Sequence, residues 1–484
     1  MQPDLSSAPS TGAASAPEHA ARNRLVITLL LVSAFTVILN ETIMSVALPR
    51  LMVDLDVTAN AAQWLTTAFL LTMAVVIPIT GFLLQRFHTR FVFTLAMSLF
   101  SAGTLVCAVA PGLGLLILGR VVQAMGTAIM MPLLMTTVMN LVPPESRGRT
   151  MGNISIVISV APAIGPTISG IILHYLHWRW MFILVLPIGL GALALGWARL
   201  VNVTEPKKAP LDAISVPLSA LGFGGLVYGL STIGESHGGG GPVPVWLPLL
   251  VGGAVLVVFI LRQLKLRDRA LLNLHTFAVK VFTVSVIMMG FAMMALFGMI
   301  ILLPIYMQNV LGMEPLTAGL LLLPGGLIMG LLAPGVGRAF DRVGARKLVI
   351  PGATLVSAGL WIMASFGVDT AMVWVLAAHV VLSVGLALLF TPLFTSSLGS
   401  LPQDLYSHGS AVIGTVQQVA GAAGIALFVS IMSVRIGTEM AAGAETVAAT
   451  AAGLRAGFVT GAAISLLMIV AAFFVRRPPD QMPD

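Results

Sequence analysis

The amino-acid sequence predicts an all-α protein that crosses a membrane many times, and three observations carry that prediction. Composition is the first: 58% of residues are hydrophobic, only 9% are charged, and mean hydropathy is +1.01, far outside the soluble range. The second is a recurrence of apolar windows long enough to cross a ~30 Å hydrocarbon core as helices rising ~1.5 Å per residue. They fall near 25–48, 61–84, 90–109, 112–138, 150–173, 180–201, 213–233, 245–264, 277–303, 316–337, 347–367, 372–395, 411–435 and 454–475, or about fourteen helices. The third is charge placement. An even number of spans puts both termini on one side, and about 20 Lys and Arg lie in loops on that side against about four opposite: Arg50, Arg179, Arg435 and Arg455. That bias predicts a multi-pass protein of the cell's cytoplasmic membrane with both termini in the cytoplasm.

Several function classes drop out at this stage. Basic residues sit in short loops between spans, so the formal charge of +7 does not indicate nucleic acid. The single cysteine, Cys107, rules out a disulfide framework. No Gly-Lys pair occurs, so no phosphate-cradling loop for an ATP-driven pump exists. His174 and His177 have no third ligand nearby to make a metal site. No His, Asp or Cys cluster suggests an enzyme, and neither metal nor cofactor is expected. Met1–Ala21, rich in Ser, Ala and Pro, reads as a disordered tail and not as a signal peptide.

The first span, Leu25–Pro49, holds one ionisable side chain, Glu41, beside one amide, Asn40. A carboxyl inside a spanning helix is costly, so it is expected to face a cavity and carry a proton; a structural carboxylate bonded to a neighbouring helix is the alternative. In the fourth span Arg120 is the only basic residue deep in the bilayer. Glu41 and Arg120 each lie about eight residues below the outer end of their span, roughly 12 Å down, a matched depth that permits an ion pair. Bonding of Arg120 to backbone carbonyls alone is the other reading.

Two cytoplasmic loops repeat one another. Gly81-Phe-Leu-Leu-Gln85-Arg86-Phe-His88-Thr-Arg90 follows span two, and Gly337-Arg-Ala-Phe-Asp341-Arg342-Val-Gly344-Ala-Arg346 follows span ten. Glycine, arginine and arginine match at one constant offset, so the chain is an internal repeat of the kind transporters carry. Copies eight spans apart imply two six-helix bundles with two extra helices between them, joined by a flexible turn at Gly238–Gly241. The expected layout is a tail over 1–24, bundles over 25–201 and 271–475, linking helices over 202–270, and a tail over 476–484.

These motifs resemble the major facilitator superfamily, and specifically its fourteen-helix drug:proton antiporter branch. Residues 337–346 match that family's G-x-x-x-D-R-x-G-x-R loop in full; the first copy has Gln85 for Asp and His88 for Gly. The resemblance implies that Gly81, Arg86, Arg90, Gly337, Asp341, Arg342, Gly344 and Arg346 serve the inner gate, with Asp341 capping a helix start and pairing with Arg, and a weaker latch in the first copy. Arg120 and Gln123 are similar to the R-x-x-Q-G motif. The span-five run Ala161-Pro162-Ala-Ile-Gly165-Pro166 is similar to the antiporter signature, with Pro162, Gly165 and Pro166 as pivot and packing residues. Trp178-Arg179-Trp180-Met-Phe182 resembles a family run expected to anchor at the membrane interface. The branch usually carries Asp where this chain has Asn40, so its titratable group has moved one residue, to Glu41.

The expected activity is export of small amphipathic molecules in exchange for protons, powered by the proton gradient. A dedicated exporter of one metabolite or peptide, or a non-coupled facilitator, would share these motifs. Candidates for an apolar substrate cavity are Asn40, Trp64, Phe69, Met73, Gln123, Met131, Gln417 and Gln418, with methionine supplying adaptable surface. The sequence leaves the oligomeric state open.

Overall fold

The computed structural model describes residues 16–202, 206, 212–235, 244 and 246–475. Among these stand fourteen long helices and no strand: α1 (Ala16–Asp54), α2 (Ala59–Arg86), α3 (Thr89–Val109), α4 (Leu113–Leu141), α5 (Arg147–Tyr175), α6 (Trp180–Arg199), α7 (Ser215–Glu235), α8 (Trp246–Leu266), α9 (Lys280–Ile305), α10 (Pro315–Val343), α11 (Arg346–Ala364), α12 (Met372–Gly399), α13 (Tyr406–Ala441) and α14 (Thr446–Ala472). Lipid offers backbone amides no partner, so each segment satisfies its own by coiling into a helix. All but α7 pass a strict test of length and apolarity for crossing a membrane, and α7 packs into the same body against α2, α8 and α13.

Helix α1 begins at Ala16, so the latter part of the expected 1–24 tail is helical. An apolar window marks the stretch that lies in lipid, whereas an alanine-rich helix keeps its hydrogen bonds beyond it in water. Helix α13 runs past its apolar window for the same reason. Residues 1–15 and 476–484, Lys207, Lys208 and the Gly238–Gly241 turn lie outside the described residues.

Helices α1–α6 pack with one another, as do α9–α14. Two matched seams join the groups, α5 on α10 and α2 on α13, as an internal repeat requires. The extra pair, α7 and α8, lies with α7 across α2 and α13. Its ends are tied where α7 begins: Arg262 donates from Nε and Nη2 to Asp212 Oδ2 and Oδ1, both at 2.7 Å, and Gln263 Nε2 donates to Ser215 Oγ at 2.6 Å. The Arg262 hydrogen bonds hold the Asp212 carboxyl below its ordinary range, at about 2.

The chain ends and the loops following α2, α4, α10 and α12 share one face, called here the terminal face; the opposite one is the distal face. Hydrogen bonds between the two groups cluster towards the terminal face. Thr136 Oγ1 donates to Ser410 Oγ (3.1 Å), Thr391 Oγ1 to Ser155 Oγ (2.8 Å) and Gln403 Nε2 to Asn140 Oδ1 (3.1 Å). The deepest polar contact is Gln418 Nε2 on Met73 Sδ at 3.9 Å, near mid-helix. The two groups are therefore clasped on the terminal face.

Candidate functional site

Helix α1 sets the azimuth of Glu41. Val32, 48% exposed, lies on its outward side. Glu41 follows nine residues later, two and a half turns at 3.6 residues per turn, and so projects from the opposite side. Leu30, Ala34 and Val37 on that inner side are fully buried, yet Glu41 keeps partial exposure. Glu41 thus projects from the side of α1 that faces the body of the protein, away from the outer surface of the helix.

Glu41 and Arg120 do not form the ion pair that their matched depth permits. Four ion pairs occur among the described residues, none involving Glu41 or Arg120. Instead Arg120, 1% exposed, donates from Nη1 to Asn40 Oδ1 (3.3 Å) and to Gln123 Oε1 (2.7 Å). Gln123 Nε2 donates onward to Thr104 Oγ1 at 2.7 Å, and the guanidinium stacks 3.9 Å from the Phe69 ring centroid. Arg120 Nε has no hydrogen-bond partner. Counting residues gives height, but one residue along a helix is about 100° of rotation, and that rotation delivers Asn40 to Arg120 and leaves Glu41 beyond ion-pair distance. The antiporter pattern places its acid at position 40, the position that meets Arg120 in this fold.

This network revises the list of cavity candidates. Asn40, Gln123 and Phe69 are buried and engaged with Arg120, which leaves them as supports of the site. Trp64 stacks on Tyr228 of α7 with centroids 6.0 Å apart; nothing local in the sequence reveals where an inserted helix pair will dock. Met73 and Gln418 meet across the α2–α13 seam. Gln417 is partly exposed beside them, and Met131 packs against the apolar core.

At the terminal face Asp341 caps a helix start, while the expected pairing with arginine is not among the ion pairs of the described residues. Its Oδ1 accepts from Gly148 N–H (2.8 Å) and its Oδ2 from Arg149 N–H (2.9 Å), so a carboxylate at the end of α10 caps the first turn of α5. The close approach depends on small residues: a Cβ on Gly337 would lie 2.1 Å from Gly148 O. Gly344 ends α10 at φ +78°, a left-handed turn suited to glycine. In the first copy His88 takes φ −62°, so the turn differs and needs no glycine. There Gln85 Nε2 donates to the Asp404 carbonyl at 3.0 Å, one neutral bond in place of two charge-assisted ones.

The arginines of these loops divide. Arg90 does not cross between the groups: it donates from Nη2 to the Trp197 carbonyl and lies 5.7 Å from that indole ring, pinning α3 to the end of α6. Arg86, Arg342 and Arg346 are exposed at the helix ends. Helix α5 stays continuous through Pro162 and Pro166. A Cβ on Gly165 would meet Thr42 Oγ1 at 2.2 Å, so the small-residue stripe presses α5 onto α1 beside Glu41. One continuous helix therefore touches both the Glu41 neighbourhood and the Asp341 cap.

The Trp178 run departs from expectation. Trp178 is 1% exposed and packs in a cluster with Ile43, Met44 and Cys107, because the short connection before α6 folds it beneath the helix ends. Arg179 covers its ring at 4.4 Å and donates from Nη2 to the Ala110 carbonyl at 2.6 Å. Only Trp180, 40% exposed, suits an interfacial belt. Among the described residues no His, Cys, Asp and Glu group has the makings of a metal site.

Residues 30–425 match the family model described as Major Facilitator Superfamily. The chain is 40% identical to the MFS-type transporter YcnB of Bacillus subtilis over 95% of this chain and 98% of that one. It is 39% identical to the lincomycin resistance protein LmrB of Listeria monocytogenes, covering 93% and 96%. Identity to a multidrug resistance protein B homolog of Mycobacterium tuberculosis is 30%, covering 84% and 76%. Among solved structures, the human organic anion transporter MFSD10 aligns with a TM-score of 0.67 at 15% identity, covering 93% of this chain and 99% of that one. The proton:xylose symporter XylE aligns at 0.64 and 14%, covering 95% and 97%. At such low identity these two share the fold.

Proposed function

Because this chain belongs to the major facilitator superfamily, a family of multi-pass membrane transporters of small molecules and not of enzymes, we propose that it exports amphipathic compounds from the cytoplasm in exchange for protons, with Glu41 as the proton carrier. The observation that carries the reading is the inward azimuth of Glu41, partly exposed and unpaired with Arg120, in a protein clasped on its terminal face. The loop bias of Lys and Arg supports a cytoplasmic terminal face. The lincomycin and multidrug resistance named for the relatives supports efflux of drug-like molecules.

In this mechanism the clasped state is open to the outside, and Glu41 takes a proton from that side. A neutral carboxylic acid costs far less to enclose than a carboxylate, so protonation favours closure of the outer opening. When the terminal face opens, the proton leaves to the cytoplasm, and the restored carboxylate is free to hold a cationic or polar group of the cargo. Proton and cargo thus use one site in alternation, which makes the exchange obligatory. Helix α5 supplies a mechanical link, since it contacts α1 beside Glu41 at Gly165 and is capped by Asp341 at its first turn. Met73, Gln417 and Gln418 along the α2–α13 seam offer adaptable surface to the cargo.

Accumulation of lincomycin or a fluorescent dye in cells expressing the protein, with and without an uncoupler, tests export and energy source together. The expected result is low accumulation that rises to the level of non-expressing cells when the uncoupler is added. Low accumulation that ignores the uncoupler would remove the proton from the mechanism.

A further inference from the structure

A second buried titratable group lies in the other half of the molecule. His379 of α12 is 5% exposed, and its Nε2 stands 2.9 Å from the Leu322 carbonyl of α10. A carbonyl only accepts, so the hydrogen lies on Nε2 and the lone pair on Nδ1. That Nδ1 is buried and has no hydrogen-bond partner. The site is built for the imidazole: a Cβ on Gly325 would lie 2.2 Å from His379 Nε2 and 2.7 Å from Ser383 Oγ, so the glycine leaves the space the ring occupies.

The internal repeat gives this position its meaning. Arg120 lies seven residues after the first residue of α4, Leu113, and His379 lies seven after the first residue of α12, Met372. The offset that superposes Gly81 on Gly337 also superposes Phe69 on Gly325. In each half, then, the same level of the second helix faces a basic side chain from the fourth: Phe69 stacks on Arg120, and Gly325 admits His379. Arg120 donates to Asn40 and Gln123 and holds a permanent charge, whereas His379 offers a ring nitrogen that can take up or release a proton.

We propose that His379 is a second proton-binding site of the transporter, set in the half of the molecule that has no carboxylate in mid-membrane. The proton adds to Nδ1, giving an imidazolium that keeps its Nε2 bond to Leu322, and it leaves from the same atom. Among the described residues no other titratable group sits at this level on the packed helices. On α10, Glu314 is at the distal end, and Arg338, Asp341 and Arg342 are at the terminal end. On α11, Arg346 and Lys347 open the first turn, as does Lys280 on α9, whose following turn carries Tyr306, bonded to the Gly367 carbonyl. On α5, Arg147 and Arg149 are terminal and His174 distal. On α13, Tyr406 and His408 are terminal and Arg435 and Glu439 distal. The added charge is therefore uncompensated, and protonation alters the contact between α10 and α12.

This inference rests on the proton-coupled reading above, and the test separates the two. Wild-type, His379→Gln and His379→Asn proteins are placed in lipid vesicles with lincomycin as the probe. Two quantities are measured: accumulation under an imposed pH gradient of one unit, and lincomycin exchange without a gradient. Gln keeps an N–H donor for the Leu322 carbonyl and cannot titrate. Loss of one coupled proton lowers the limiting accumulation ratio about tenfold at that gradient, with gradient-free exchange retained. Accumulation equal to wild type, or parallel loss of exchange in folded protein of both variants, overturns the proposal. If the wild type itself ignores the gradient, the proton-coupled reading fails. Infrared difference spectra on acidification then decide His379 alone: an imidazolium signal present in wild type and missing from His379→Gln supports proton binding, and identical spectra overturn it.

Discussion

Arg120 takes its partner from position 40, where the antiporter pattern has an acid and this chain has Asn40, while the carboxyl stands one residue further on. A buried guanidinium held by two carboxamides and a ring face is costly to disturb, because its loss leaves Asn40 Oδ1 and Gln123 Oε1 without donors. Arg120→Ala is expected to destabilise the protein by about 3 kcal/mol or more, read as a lowered thermal midpoint in detergent. A variant as stable as wild type would show the network to be unimportant. At this scale the sequence was partly legible. The residue types and their depth were readable, but the azimuth was not, since one position along a helix changes which neighbour a side chain meets. Trp178 illustrates the same limit: its W-R-W-x-F setting suggests an interfacial ring, and the fold of the preceding connection buries it.

The two seams differ in how they are held. On α10, Asp341 accepts from two backbone N–H groups at the positive end of α5, while on α2 the neutral Gln85 makes one bond to the Asp404 carbonyl. Asp341→Asn should weaken the clasp by about 1–3 kcal/mol. Spin labels on cysteines introduced at the terminal ends of α5 and α10 should then report longer, broader distances; an unchanged distribution would assign the clasp to the small-residue packing alone. The tie between α7 and α8 makes a pH prediction. Its folded-state pKa, about 2, lies below the ordinary carboxylate value, so the Asp212–Arg262 contribution is present in full above about pH 4 and is lost as pH falls through about 2. Asp212→Asn should therefore lower the thermal midpoint at neutral pH and converge with wild type in strong acid; a constant difference at all pH values would contradict the assignment. The Asp341 latch was readable from its loop motif, whereas the docking of α7 on Trp64 was not, since that contact belongs to the extra pair and has no counterpart in the repeat.

Over the whole molecule, the count of fourteen helices, the repeat and the family followed from apolar windows and two loop motifs, because a bilayer imposes helix length and orientation more strictly than water does. What hydropathy leaves open is where a helix stops outside lipid, as at Ala16, and which pairs of helices touch. The assembled protein is clasped on the terminal face, with Glu41 turned inward on α1, Arg120 secured elsewhere, and α5 running between the Glu41 neighbourhood and the latch. In lipid vesicles, lincomycin accumulation under an imposed pH gradient compared between wild type and Glu41→Gln addresses the central claim directly. Glu41→Gln is expected to lose gradient-driven accumulation and to keep some gradient-free exchange; full gradient-driven accumulation by the variant would show that Glu41 does not carry the proton.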